Sequence, residues 1–508
     1  LMVSKTNEKT TLMGMNKAFL WKFFCLISLS QITYICNAQL VTEKRIELEL
    51  KDAENDEFNV ISFGDKGILL LNSRANNFGR KLDINFTKYD TTLSQVWTNS
   101  YQPSLLFKLV KYYESESYLY CLFREEEKEN ITILRLDIAT GDYVISESRL
   151  LTTMDIDLFS VLKSKALIGG RYNDRPVVEM INLFANTAKV LPEIHSNNVK
   201  LNNIQVNEAE GLVYVLLKNS RNCKLFLKVY DYDGKIIGSK TLGEKNKLPL
   251  NGRLIQIPNG DYVLAGNYAD NCSDYSVGFY THSLTREEDT KYYDFVDLDN
   301  FLSYMPKKRQ NRLKTRIKKK NLKGKDFKLR QRLILQDPTE NPEGMTIMAE
   351  VFYPEYKNYV SNFNSVGRNY RWGDNNYYTY NNFRYTHALI LNFDKNGKLI
   401  WDSSISLKDL ESRTLDHKVQ FSVIGDKYIL AYPDEGTIKT SIIDRNSETV
   451  EELPLELSDE NQRVIDTYQS ELSAWYGHNF IAYGIQSVRK NTTAYSKHVF
   501  YLSKLTYE

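Results

Sequence analysis

Six histidines are the first place to look for chemistry, and they stand apart along the chain: His195, His282, His387, His417, His478 and His498. None has the His-Glu-x-x-His spacing that puts two imidazoles on one helix face for zinc, and no Cys-x-x-Cys pair occurs. The sequence also has no Gly-x-Ser-x-Gly elbow for a nucleophilic serine and no glycine-rich phosphate loop ending in Lys-Ser or Lys-Thr. A glycosidase needs two carboxylates across its sugar. With 64 acids present, no spacing singles out a pair. Asp231, Asp233 and Asp394 sit in Asp-Gly and Asn-Gly turns, where a carboxylate caps its own backbone. The sialidase-type Ser-x-Asp-x-Gly-x-Thr-Trp turn and a calcium loop are both absent from the sequence. No catalytic residue, metal ligand or cofactor site is therefore expected, which weakens an enzyme reading without removing it.

Two stretches have the composition of binding surfaces instead. From Lys307 to Arg332 there are fourteen Lys or Arg and one acid, Asp326, so this stretch carries +13 in a chain whose total is +2. The remainder is acidic, and the protein is electrically polarised. Leu302, Met305, Leu313 and Ile317 recur at helical spacing, which predicts a narrow apolar stripe on a basic helix within about 302–328. Lys308, Arg309, Arg312, Arg316 and Lys319 are its candidate binding residues. Three uses compete: a solvated helix docked by its stripe, contact with an anionic lipid, lipopolysaccharide, acidic polymer or acidic protein, and nucleic acid. Nucleic acid is the least favoured, because no aromatic residues interleave with the basic ones on strands.

The second stretch, 356–385, reads YKNYVSNFNSVGRNYRWGDNNYYTYNNFRY. Rigid amphipathic rings among Asn, Ser and Gly make adaptable binding loops. Its candidates are Tyr359, Tyr370, Arg371, Trp372, Tyr377, Tyr378 and Tyr380, in an insertion at about 357–383. The competing reading folds these rings onto the loop's own blade.

The elements that must position both stretches are short hairpins. RLIQIPNGDYVLAGNY at 253–268 alternates apolar residues on either side of a Pro-Asn-Gly-Asp turn, and 58–71, 421–432 and 470–483 repeat the pattern. Eight units begin near Phe58, Leu105, Ile156, Asn202, Gly252, Leu329, His417 and Thr467, the third being the weakest match. Four strands per 40–50 residues is the size of a propeller blade, whose faces only its neighbours can cover. A β-sandwich pair and an open solenoid are the alternatives. The eighth unit has three strands, and VTEKRIELEL at 41–50 is a spare. The expectation is an all-β propeller of seven or eight blades, with eight preferred, closed by the N-terminal strand.

Composition agrees with one large globular domain at 39–508: hydrophobic content is 42%, aromatics 12%, and there are 35 Tyr. Residues 1–14 read as an upstream extension. From Met15, a Lys-flanked apolar stretch ends in small residues at Ala38, as in a signal peptide cleaved before Gln39. A membrane anchor and a lipoprotein at Cys36 are the competing readings. Export makes a disulfide feasible between Cys223 and Cys272, which follow Asn in the same loop of consecutive units, while Cys121 sits in an apolar strand as a buried thiol.

The export signal, the texts NGDYVLAGNY and LNFDKNGKLIWD and the insert KKRQNRLKTRIKKKNLKGK together resemble secreted propeller-repeat proteins common in Bacteroidota-type bacteria. The resemblance covers most of the mature chain. It implies the fold and an exported location, periplasmic or associated with the outer membrane. The expected function is a non-catalytic binding or scaffold propeller that engages an envelope protein, a glycan or an anionic surface. The alternative is a polysaccharide-active glycosidase or lyase with carboxylates at the central mouth.

Overall fold

A computed structural model of the chain describes residues 39–50, 56–76, 81–258, 260–285, 290–356, 380–408, 410–434, 436–445, 450–457, 462–491 and 495–507. Its strands form eight antiparallel sheets that follow one another along the chain. The first strands are Asp56–Ser62, Phe107–Glu114, Asp155–Leu162, Val199–Asn207, Arg253–Gln256, Arg332–Leu335, Gln420–Ile424 and Gln462–Ala474, one for each of blades 1 to 8. Blades 1 to 7 then add their second, third and fourth strands in sequence order, whereas blade 8 adds only its second and third in this way.

Burial follows from this stacking. Second and third strands are covered on both faces and read as continuous apolar runs, as in YLYCLF of Tyr118–Glu125, buried from Leu119 to Phe123. Fourth strands such as Gln95–Tyr101 alternate exposed and half-buried positions, as outer strands with one wet face do. Eight apolar clusters lie one in each gap between neighbouring blades. One of them, built from Val60, Ile68 and Leu70 of blade 1 and Ile481, Phe500 and Leu502 of blade 8, closes the circle. The ring has eight blades.

Closure is made by the chain's early strand. Leu40–Leu50 pairs antiparallel with Lys497–Tyr507, from Leu40 opposite Tyr507 to Leu50 opposite His498, and becomes the fourth strand of blade 8. Arg45 locks it in place: it lies 4.5 Å over the Tyr501 ring and donates to Gln486 Oε1 at 2.8 Å. The strand covers an edge that would otherwise be open to pairing. Among the described residues the third unit, the weakest in sequence, is a regular four-stranded blade.

Inner strands are tied sideways by side chains. Gln205 of blade 4 accepts from Leu254 N and donates to Leu254 O, at 2.7 and 3.0 Å. Gln336 and Gln420 make similar links to Val419 O and Ala474 N. Two of the three turn aspartates behave as their spacing predicts, while Asp233 instead accepts from Lys165 Nζ of blade 3 at 2.8 Å. Asp394 Oδ1 accepts from Asn396 N and Lys398 N at 2.8 Å, with Gly397 at φ 68°. Asp231 caps Lys235 N in the same way.

Candidate functional site: a cationic helix on the blade 5–6 face

Loops joining second to third strands share one face of the ring with the connections between blades. The connection from blade 5 to blade 6 is the long one, running from Asp294 to Arg332. Its first part is a wedge. Phe295 and Phe301 stack at 4.6 Å and, with Leu298 and Leu302, fill the cluster between the two blades. Asp402, on the fourth strand of blade 6, then grips the backbone, accepting from Asp299 N at 3.1 Å and Asn300 N at 2.8 Å. Burial pushes its carboxyl up to about 6, against the pull of those two donors. Ser404 Oγ receives Tyr304 N at 3.1 Å, and the Tyr304 ring lies flat on His387 at 3.7 Å. Burial holds the His387 imidazole down at about 3, so it is neutral in the stack.

Pro306 opens helix α1, Lys307–Asn321. Proline suits a helix start, where its missing N–H costs nothing. The helix occupies the middle of the 302–328 insertion. Leu302 and Met305, expected on the helical stripe, precede it and belong to the wedge. The helix rests instead on Gln310, Leu313, Ile317 and Lys320, all half-buried at spacings of three and four, and Leu313 packs on the blade 5–6 cluster. No residue of α1 is fully buried.

The charge on α1 works against the helix. Nine of its fifteen residues are Lys or Arg, and its first turn has no acid to complement the N-terminal dipole. Lys308/Arg312, Arg312/Arg316, Lys314/Lys318 and Arg316/Lys320 are like-charge neighbours one turn apart, each costing about 0.2–0.5 kcal/mol. Among the described residues none of these nine cations forms an ion pair. The wedge and Leu313 hold the helix down despite this repulsion.

Beyond α1 the chain folds back. Lys325 N donates to Lys320 O, and the Phe327 ring lies 4.8 Å from Lys320 Nζ and 6.0 Å from the Arg316 guanidinium. A groove of about 540 Å³ runs along the helix flank, lined by Asn311, Arg312, Thr315, Arg316, Lys319, Lys320 and Lys323, with no acid. The segment's end is fastened to the second-to-third loop of blade 5 by Arg330–Asp270 and by paired backbone bonds between Ser276 and Gln331. That loop carries Cys272, disulfide-bonded to Cys223 of blade 4 with a Cα–Cα distance of 5.6 Å.

Of the residues singled out in the sequence, Lys308, Arg309, Arg312, Arg316 and Lys319 all lie exposed on α1, and the last three line the groove. Tyr359, Tyr370, Arg371, Trp372, Tyr377 and Tyr378 lie outside the described residues. Tyr380 is described only as backbone, paired with Tyr356 where the loop leaves blade 6. By topology the two described strand ends, Tyr356 and Tyr380, lie on the same face as α1 and the disulfide. Sequence reasoning missed Asn311, Thr315, Lys320 and Lys323 as groove residues; their one-turn spacing with Arg312, Arg316 and Lys319 is the signal that marks them.

The histidines stay apart. His282 meets Thr290 at 2.7 Å, His417 meets Glu350 at 3.3 Å, and His498 stacks on Tyr468. No cluster among the described residues could hold a metal ion. A wider cleft of about 970 Å³ over blades 6 to 8 mixes Glu411, Asp434 and Glu471 with Arg413 and Lys418, and so selects no sign of charge. One inner-strand carboxyl is perturbed. Glu114 ends the first strand of blade 2 with its side chain exposed, and the protein crowded around it raises its carboxyl.

No protein-family model matches the chain, and no curated protein matches it. Solved structures do. The dihydro-heme d1 dehydrogenase NirN aligns over 82% of this chain and 79% of its own, at 11% identity and a TM-score of 0.39. The β-propeller domain of the trilobed protease from Pyrococcus furiosus aligns over 78% and 93%, at 9% identity and 0.35. Prolyl oligopeptidase B from Galerina marginata aligns over 87% of this chain and 56% of that one, at 11% and 0.40. At these scores the likenesses carry no argument about activity. The propeller assignment rests on this chain's own eight sheets.

Proposed function

We propose that the protein is an exported, non-catalytic binding or scaffold module, and that the face carrying α1 engages an anionic component of the cell envelope. One observation carries this reading: nine helix cations repel one another, lack ion-pair partners among the described residues, and are held at the surface by a buried wedge. A local arrangement that disfavours itself is a mark of function. An anionic partner would relieve the repulsion. The Tyr/Asn-rich loop at 357–383 would supply further contact area on the same face.

Affinity purification from the native envelope tests it, comparing the wild type with a variant carrying Lys308→Glu, Arg312→Glu, Arg316→Glu and Lys319→Glu. Partners should be captured at low salt by the wild type and lost by the variant, because exposed charges are screened beyond about 8–10 Å at physiological salt. An identical set of partners for both proteins refutes the reading.

Glu114 favours the second reading, a polysaccharide-active enzyme. A raised carboxyl within reach of solvent and substrate is what a general acid needs, and the hydroxyl of Tyr112, two residues away and likewise exposed, is raised too. If this reading holds, Glu114→Gln abolishes polysaccharide cleavage by a protein whose charge-reversed helix still cleaves. Wild-type protein inert across acidic and neutral polysaccharides removes it.

A further inference from the structure

The end of α1 narrows the choice among anionic partners. Leu322 caps the helix and is 87% exposed, one of the two most exposed large apolar side chains among the described residues. Lys318, Lys319 and Lys320 precede it and Lys323 and Lys325 follow. A single exposed leucine is ordinary. One flanked in the chain by lysines, of which two before it and one after it line a groove that contains no acid, is a different feature.

We infer that this tip docks on a phosphate-bearing anionic lipid surface, an inference that rests on the anionic-partner reading above. The groove cations meet headgroup phosphates, and Leu322 reaches the boundary between headgroups and acyl chains. Charge complementarity alone would fit a sulfated or carboxylated polymer equally well. Leu322 decides between them, because a solvated polyanion offers an aliphatic side chain nothing apolar to enter, whereas a headgroup–acyl boundary does. The flanking lysines can keep their ammonium groups at phosphate level while their stems follow the leucine inward.

The geometry also sets the kind of contact. The helix's stripe, with Leu313 on the blade 5–6 cluster, is already occupied by the propeller. The helix therefore cannot roll its apolar face into a bilayer and stay docked. Adhesion is mainly electrostatic, with one apolar contact, and so is peripheral and reversible. Among the described residues no helix is long and apolar enough to cross a membrane.

Vesicle flotation of the whole mature chain tests this, with phosphatidylcholine alone and with about one-third phosphatidylglycerol added. Soluble dextran sulfate forms a parallel arm. Anionic vesicles should bind at least about tenfold more tightly than neutral ones, with a steep loss as salt rises. Lys319→Glu with Lys323→Glu should abolish the preference. Leu322→Ser should weaken vesicle binding several-fold at every salt concentration while leaving dextran sulfate binding unchanged. Lys235→Glu, in a turn on the opposite face, should change nothing.

Equal binding to neutral and anionic vesicles, or a Leu322→Ser protein that binds vesicles like the wild type, overturns the lipid assignment. Binding to dextran sulfate without binding to vesicles also overturns it, but leaves the anionic-partner reading standing. Binding to neither overturns both. All the substituted positions are exposed, so an unchanged thermal midpoint verifies that each variant is folded.

Discussion

Two connections between blades use the same anchor to different ends. Between blades 2 and 3 the chain needs only residues 150–154, and the fully buried Glu179 carboxylate accepts from Leu151 N at 2.9 Å and Thr152 N at 3.2 Å. Between blades 5 and 6 it runs through 295–331, and the buried Asp402 accepts from Asp299 N and Asn300 N. In both places burial raises the carboxyl and two backbone donors hold it. The short connection ends there. The long one adds an aromatic wedge and then a helix whose sequence opposes its own formation. The difference shows that the repeat already has a way to pin a connection, and that α1 is an addition built on that pin.

Substitutions can separate the two connections. Phe301→Ala removes a ring at the centre of the wedge and should cost about 3–5 kcal/mol, read from thermal or denaturant unfolding. It should also make 307–321 the first site of limited proteolysis. An undisturbed α1 would mean that something other than the wedge holds it.

Removing the Cys223–Cys272 bridge, which closes a span of 49 residues, should cost up to about 4 kcal/mol if the bridge acts by restricting the unfolded chain. The loss should appear as earlier hydrogen exchange in blades 4 and 5, with blades 2 and 3 unaffected. A uniform loss around the ring would mean that the sector is not a separate unit.

Asp402→Ala and Glu179→Ala should each cost about 1–3 kcal/mol by stranding buried N–H donors. Only the first should release α1 to protease. Release by both variants, or by neither, would mean that Asp402 is not the pin on which α1 is built.

The Asp402 carboxyl, ordinarily at 3.8, is raised to about 6 in the fold. The folded protein therefore keeps that proton across an interval in which the unfolded chain has lost it. The corresponding stabilisation is complete below about 4 and disappears as pH rises through about 6. Asp402→Asn keeps an acceptor without the charge, so it should be milder than Asp402→Ala and should remove this slope. Stability of the asparagine variant that falls with pH as steeply as the wild type's would refute the assignment to Asp402.

The smallest stability change belongs to the helix surface. Charge reversal at Lys308, Arg312, Arg316 and Lys319 should leave unfolding within about 0.5 kcal/mol per site. Large destabilisation would mean that these cations act within the fold.

Much of the fold was legible because period-two hairpins and Asp-Gly turns are local signals. The Pro258 turn, the turn at Gly397 and the spare strand at 41–50 all stand where the pattern puts them. The start of α1 was not legible. Leu302 and Met305 have helical spacing, yet Phe301 and Leu302 are held in the blade gap by Asp402 and Ser404, about one hundred residues away. No local pattern encodes that contact. The basic residues could be read from charge alone, whereas the groove and Leu322 required knowing where the helix ends.

The role of α1 in anion binding is decided by measuring binding to anionic vesicles and to dextran sulfate as a function of salt, for the wild type and for the Lys308, Arg312, Arg316 and Lys319 charge-reversed variant. Tight wild-type binding at low salt should fall steeply as salt rises, with little binding by the variant at any salt. Equal affinities and equal salt slopes for the two proteins would contradict a role for α1 in anion binding.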